Sequence, residues 1–163
     1  MMGEAEAQLA VQIESLRSEQ NLVGGISAGL VAAVAGASAW AAITAATEYQ
    51  IGWMAIGVGF LVGFAMKTVG KGIDPIFGYA GAALSLIGCA LGNYFTVAWF
   101  VSAQEGIGFL ELLSSLGPAE IVELMSLTFD PMDLLFYGIA VYFGYRYSFR
   151  VLVPAAPAAE PGP

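Results

Sequence analysis

Long apolar runs separated by short polar turns dominate this chain. Residues 22–47, 51–66 and 75–102 carry no charged side chain. At ~1.5 Å of rise per residue, about 20 apolar residues in a helix cross a hydrocarbon layer of about 30 Å. The first and third runs reach that length outright. The second predicts a span over 51–70, with Lys67 and Lys71 stretching their ammonium groups to the surface. A further apolar stretch predicts a span over 132–149. Asp74-Pro75 and Asp130-Pro131 each read as an N-cap followed by proline at the first helical position. Asp133 adds negative charge near the positive end of the last helix dipole. The predicted fold class is all-α, a polytopic membrane protein with four transmembrane helices in one domain over 22–152.

The segments outside those runs are different in kind. Residues 1–21 read as a polar helix, acidic through Glu4, Glu6, Glu14 and Glu19. Leu9, Ile13 and Leu16 recur at helical spacing and form a narrow apolar stripe. That stripe fits either a solvated lead-in helix or a docking face for another helix. Thr47-Glu48-Tyr49-Gln50 reads as a tight polar turn. Between the third and fourth spans, over 105–130, Phe109, Leu112, Leu113 and Leu116 share one helical face. Gly117-Pro118 interrupts the pattern, and Ile121, Leu124 and Met125 resume it. Glu111, Glu120 and Glu123 fall off both stripes. A short amphipathic helical segment, in two pieces at the membrane surface or capping the bundle, is the expectation. Residues 153–163 are rich in proline and alanine and predict a disordered or extended tail.

Charge then sets orientation. With four spans, Arg17, Lys67, Lys71, Arg146 and Arg150 fall on one side, and these are all five Lys and Arg of the chain. Glu48, Glu105, Glu111, Glu120, Glu123, Asp130 and Asp133 fall on the other. The positive-inside rule puts the basic side, and both termini, in the cytoplasm. Trp40, Trp53 and Trp99 all lie in the outer halves of their spans and fit an aromatic belt at the outer interface, Trp40 being the deepest of the three.

Composition narrows the function classes. The chain has 163 residues, 58% hydrophobic and 11% charged, against about 25% charged in soluble domains. A net charge of −8 leaves no basic surface for nucleic acid. No single stretch is rich enough in Lys or Arg to hold anionic lipid head groups. Histidine is absent and Cys89 is the single cysteine, so neither an intrachain disulfide nor a zinc-ligand spacing exists. No cleavable signal peptide is visible. The reading is therefore no enzyme, no cofactor and no metal. Glu120, Glu123, Asp130 and Asp133 have no spacing that specifies a metal, and the acidic loop lacks an EF-hand pattern.

Within the spans no Asp, Glu, Lys, Arg or His lies between the interfaces. That argues against proton relays and voltage sensors and leaves open a pore lined by backbone and small polar groups. Gly25 and Gly29, Gly59 and Gly63, and Gly88 and Gly92 form GxxxG pairs, which let helix backbones approach closely in lipid. They fit packing within one bundle, or contact with another subunit. Asn93 fits a hydrogen bond across helices, or the lining of a water path. Ser27, Ser38, Thr44, Ser85 and Thr96 have carbonyls of their own helix within reach. Cys89 reads as a small buried apolar residue.

The run Gly52-Trp53-Met54-Ala55-Ile56-Gly57-Val58-Gly59-Phe60-Leu61-Val62-Gly63, followed by Gly70-Lys71-Gly72 and Asp74, resembles a run found in small multi-pass bacterial membrane proteins of unknown function. The resemblance implies a bacterial inner membrane and carries no activity or site residues. The functional expectation is a non-enzymatic protein acting by helix association. Its partners are the lipid bilayer and either itself or another membrane protein, as a structural or accessory subunit or a homo-oligomer. The alternative is a homo-oligomeric pore with weak cation preference.

Overall fold

A computed structural model describes residues 2–49 and 51–150; for residues 2, 4, 5, 127 and 128 it describes the backbone alone. Gln50, in the expected turn, and the expected tail over 153–163 lie outside the described residues. Among the described residues the chain is all-helical, with seven helices: α1 Met2–Ser18, α2 Leu22–Thr47, α3 Trp53–Gly70, α4 Pro75–Glu105, α5 Phe109–Ser115, α6 Pro118–Thr128 and α7 Pro131–Tyr147. Three of them, α2, α3 and α4, are long and apolar enough to cross a membrane. In lipid every backbone N–H and C=O must be satisfied within its own segment, and a helix does this.

The helix ends follow local chemistry. Asn21 Oδ1 accepts from Gly24 N at 2.8 Å and starts α2. Gly106, with φ 67, closes α4 in the left-handed region that a glycine enters without a Cβ clash. At α7, Asp130 Oδ1 accepts from Met132 N at 2.8 Å and Asp133 Oδ2 accepts from Asp130 N at 3.0 Å. The two carboxylates thus satisfy opposite ends of one turn. Asp74 departs from expectation. Its side chain makes no cap bond to α4 and turns instead toward Arg17 and Gln20.

Four helices form the bundle. Gly25 lies against Gly70 while Gly36 lies against Val58, so α2 and α3 run in opposite directions. Gly29 meets Leu84 and Trp40 covers Gly92, so α2 and α4 run together. Gly59 rests on Ala140 and Gly63 on Tyr147, so α7, 17 residues long, runs beside α3 in the same direction. Helices α5 and α6 pack on α4. Among the described residues helix α1 packs on no other helix, and Leu9 on its stripe is 44% exposed.

Small side chains are enclosed where helices meet, while many large apolar ones face outward. Ala33, Ala37, Ala55, Ala98 and Ala140 are fully enclosed, whereas Val23, Val31, Phe64 and Leu134 are more than half exposed. Large apolar side chains facing outward have no hydrophobic penalty in lipid, and small ones inward let helices approach closely. Among the described residues this marks a membrane protein. The interior is filled by Trp40, Val58, Val62, Met66 and Phe77. Trp40 therefore belongs to the core and not to an interfacial belt, because glycine at position 92 leaves room for its ring. Trp53 and Trp99 are exposed.

Candidate functional site

The chain's cations gather at one end of the bundle. Arg17 Nη2 donates to Asp74 Oδ1 at 3.1 Å, and Lys71 Nζ lies 4.0 Å from Glu19 Oε2. Arg150 N donates to Gly72 O at 2.8 Å, and Asn21 N donates to Gly70 O at 2.9 Å. Lys67 and Arg146 occupy the last turns of the parallel helices α3 and α7. All five sit where α1, α3 and α7 end and where α2 and α4 begin.

Gln20 organises that end, and nothing in the sequence singled it out. Its Oε1 accepts from Ile73 N at 2.8 Å and from Asp74 N at 3.1 Å, while its Nε2 donates to Asp74 Oδ2 at 2.8 Å. One amide thus ties the α1–α2 junction to the α3–α4 turn, 53 residues away in sequence. The Gln20 bond, and after it Arg17, hold the Asp74 carboxyl below its ordinary value of 3.8. A carboxylate accepting hydrogen bonds and facing a guanidinium favours its charged form.

All six GxxxG glycines are buried inside the bundle. A methyl on Gly25 would sit 3.1 Å from Gly70 Cα, and one on Gly29 would sit 2.7 Å from Met66 Cγ. On Gly63 it would lie 2.9 Å from Tyr147 Cβ. On Gly88 and Gly92 it would meet Val58 and Trp40, each at 2.7 Å. On Gly59 it would overlap the Ala140 carbonyl oxygen. Each pair is occupied by a neighbouring helix of the same chain.

Two buried polar side chains, Asn93 and Tyr137, link α4 to α7. Asn93 Nδ2 donates to Tyr137 Oη at 2.6 Å, and Tyr137 Oη donates to Cys89 O at 3.2 Å. Cys89 Sγ lies 3.8 Å from Ala55 O on α3. Ser38, Ser85 and Thr96 bond carbonyls of their own helices at 2.7–2.9 Å. Thr44 differs: its Oγ1, like Trp40 Nε1 one turn earlier, is enclosed without a hydrogen-bond partner among the described residues. Leaving such groups unpaired costs about 1–3 kcal/mol each.

Two concavities open on the outside. At the acidic end, a groove of about 600 Å³ runs along the second half of α2. Its lining includes Ser38, Ala42 and Ala46 of α2, Phe95 and Trp99 of α4 and Phe109 of α5. The two α4 rings pack on Phe109 at centroid distances of 6.4 and 6.0 Å. At the basic end, a cleft of about 550 Å³ lies between α3 and α7. Among the described residues no group of three Asp, Glu or Cys side chains comes together as a metal site. Glu111, Glu123 and Asp130 are exposed, and Glu120 accepts from Gly117 N.

Compared with family models, curated proteins and solved structures, the chain matches none.

Proposed function

We propose that the chain is a four-span integral membrane protein with both termini in the cytoplasm. In this reading it catalyses nothing and works by helix association, with its own copies or as an accessory subunit of a membrane assembly. The fourth span is α7, whose 17 residues rise about 25 Å, close to the 18 residues of its neighbour α3. The short helices α5 and α6 lie at the outer interface as the amphipathic segment. The gathering of the five cations at one end supports the orientation. Placement in a bacterial inner membrane follows from the resemblance over 52–74.

The observation that carries association is the groove on α2. The GxxxG pairs are occupied within the chain, so a partner needs another face. Ser38, Ala42 and Ala46 repeat every four residues on one side of α2, the spacing at which a second helix seats closely in lipid. A transmembrane helix is the occupant this shape fits. The alternative pore requires an axis between copies, because the axis within one chain is filled by large side chains.

The test is crosslinking in native membranes, with the cysteine introduced one turn away by Ala46→Cys in a Cys89→Ala background, so that Ala42→Trp can be added without removing it. A crosslinked species that disappears in Ala42→Trp, which fills the groove, supports the reading. A chain that stays monomeric, or a crosslinker adduct through other positions that survives Ala42→Trp, overturns the role of this groove. Reconstituted conductance tests the pore.

A further inference from the structure

Because α3 and α7 are parallel, their last turns end side by side and bring Lys67 and Arg146, 79 positions apart in sequence, to one cleft. The rest of its lining is aromatic: Tyr142, Phe143, Tyr147 and Phe149. Lys67 is half-buried and Arg146 exposed. The ion pairs of this end use Arg17 and Lys71, and among the described residues neither Lys67 nor Arg146 has a carboxylate within 4.0 Å. Two unpaired like charges in one cleft repel, and an anion between them reverses the sign of that interaction. The carbonyl ends of two helices disfavour an anion by about half a charge each, which two full positive charges outweigh.

A second feature leads away from the charges. Phe60 and Phe64 of α3 stack at 6.2 Å, and Phe60 meets Tyr147 edge-on at 5.2 Å. Phe143 stacks on Tyr147 at 5.6 Å. Phe60 and Phe64 are 46% and 56% exposed, so an aromatic apron continues from the cleft along the lipid-facing side of α3 and α7. A ligand with an anionic head and long apolar tails matches both parts. A free inorganic anion matches the first alone.

We propose that Lys67 and Arg146 bind the phosphate of an anionic phospholipid whose acyl chains lie along Phe60 and Phe64. This site rests on the membrane-spanning reading, and it revises the expectation that no stretch of the chain is rich enough in cations for such head groups. That expectation counted neighbours in sequence, and the site is assembled from two helices. Interhelical basic pockets at the cytoplasmic face are the setting in which acidic head groups bind.

The experiment is native mass spectrometry of the full chain released from micelles holding phosphatidylglycerol and phosphatidylcholine. The expected result is selective retention of phosphatidylglycerol. Lys67→Gln and Arg146→Gln each lower its affinity about fivefold, and together about 25-fold. Lys71→Gln and Arg17→Gln remove the same charge from the same end and leave retention unchanged. Equal loss in those controls, or undiminished retention in the double variant, overturns the site. Displacement of the lipid by inorganic phosphate at equal concentration assigns the cleft to free phosphate and overturns the lipid. Both altered positions are at least partly exposed, and unchanged melting of each variant verifies the fold. Micelles impose no orientation, so this readout is independent of the spanning reading, which reporter tags on the two termini test separately.

Discussion

Replacing Gly59 by alanine tests the bundle where two backbones come closest. A methyl there would overlap the Ala140 carbonyl oxygen and sit 2.8 Å from that residue's carbonyl carbon and Cα. Favourable carbon–carbon contact begins near 3.5 Å, so α7 must retreat by about 0.7 Å or more. The obstructing atoms belong to backbone, and no side-chain rotation relieves them. Overpacking costs about 1–3 kcal/mol, and a collision with backbone belongs at the upper end. The gain from replacing glycine within a helix, about 1 kcal/mol, opposes it. The expected net loss is about 2 kcal/mol. Gly57 lies two residues earlier in the same helix, and nothing stands within 4 Å of its would-be Cβ. Gly57→Ala keeps the propensity gain alone and should stabilise by about 0.5–1 kcal/mol. Reversible unfolding in mixed micelles, followed by tryptophan emission with enclosed Trp40 as reporter, measures both. If Gly59→Ala unfolds no earlier than Gly57→Ala, α7 is not seated on α3 at this level.

Three further outcomes are expected. Gln20→Ala removes three partly buried hydrogen bonds, at about 1 kcal/mol each before relaxation; it should destabilise by about 1–3 kcal/mol, whereas Gln12→Ala on the exposed side of α1 should change nothing measurable in the same melt. Asp74 holds its proton less tightly in the folded chain, so its contribution is complete above about pH 4 and is lost as pH falls through the lowered value. A spin label at Ser18 should therefore gain mobility below that range, and the step should vanish in Asp74→Asn; a step that persists would assign it to another group. Interhelical hydrogen bonds in membranes are worth about 0.6 kcal/mol, up to about 1.7. A double-mutant cycle of Asn93→Leu and Tyr137→Phe should return a coupling of about 1 kcal/mol, and a coupling of zero would refute the α4–α7 link.

What was legible in the sequence is what depends on runs of residues. An uncharged stretch of 26 residues, as in α2, has one stable form in lipid, and the helical class and apolar helices follow from it. What depends on pairs of distant residues was not legible. Gln20 carries no motif, and its role comes from a turn more than fifty residues away. The GxxxG spacing says that something approaches those glycines; it is the same spacing whether the neighbour belongs to this chain or to another. Trp40 has the composition of a belt residue and becomes core because position 92 is glycine. Asp74-Pro75 has the wording of an N-cap, yet the carboxylate finds an arginine and an amide across the junction and turns to them.

These placements separate two surfaces that composition alone would merge into one lipid-facing exterior. The groove belongs to α2, α4 and α5 at the acidic end; the cleft belongs to α3 and α7 at the basic end. No residue is common to the two. Perturbations of residues far apart and without shared partners add, so a helix in the groove and a lipid in the cleft should bind independently. Ala42→Trp should abolish crosslinking and leave phosphatidylglycerol retention intact, while the Lys67→Gln, Arg146→Gln double variant should do the reverse. Loss of both properties in either variant would mean that the two surfaces act through one conformational state of the bundle. The tight backbone contact at Gly59 and Ala140, which joins α3 to α7, would then be the first place to look for its second position.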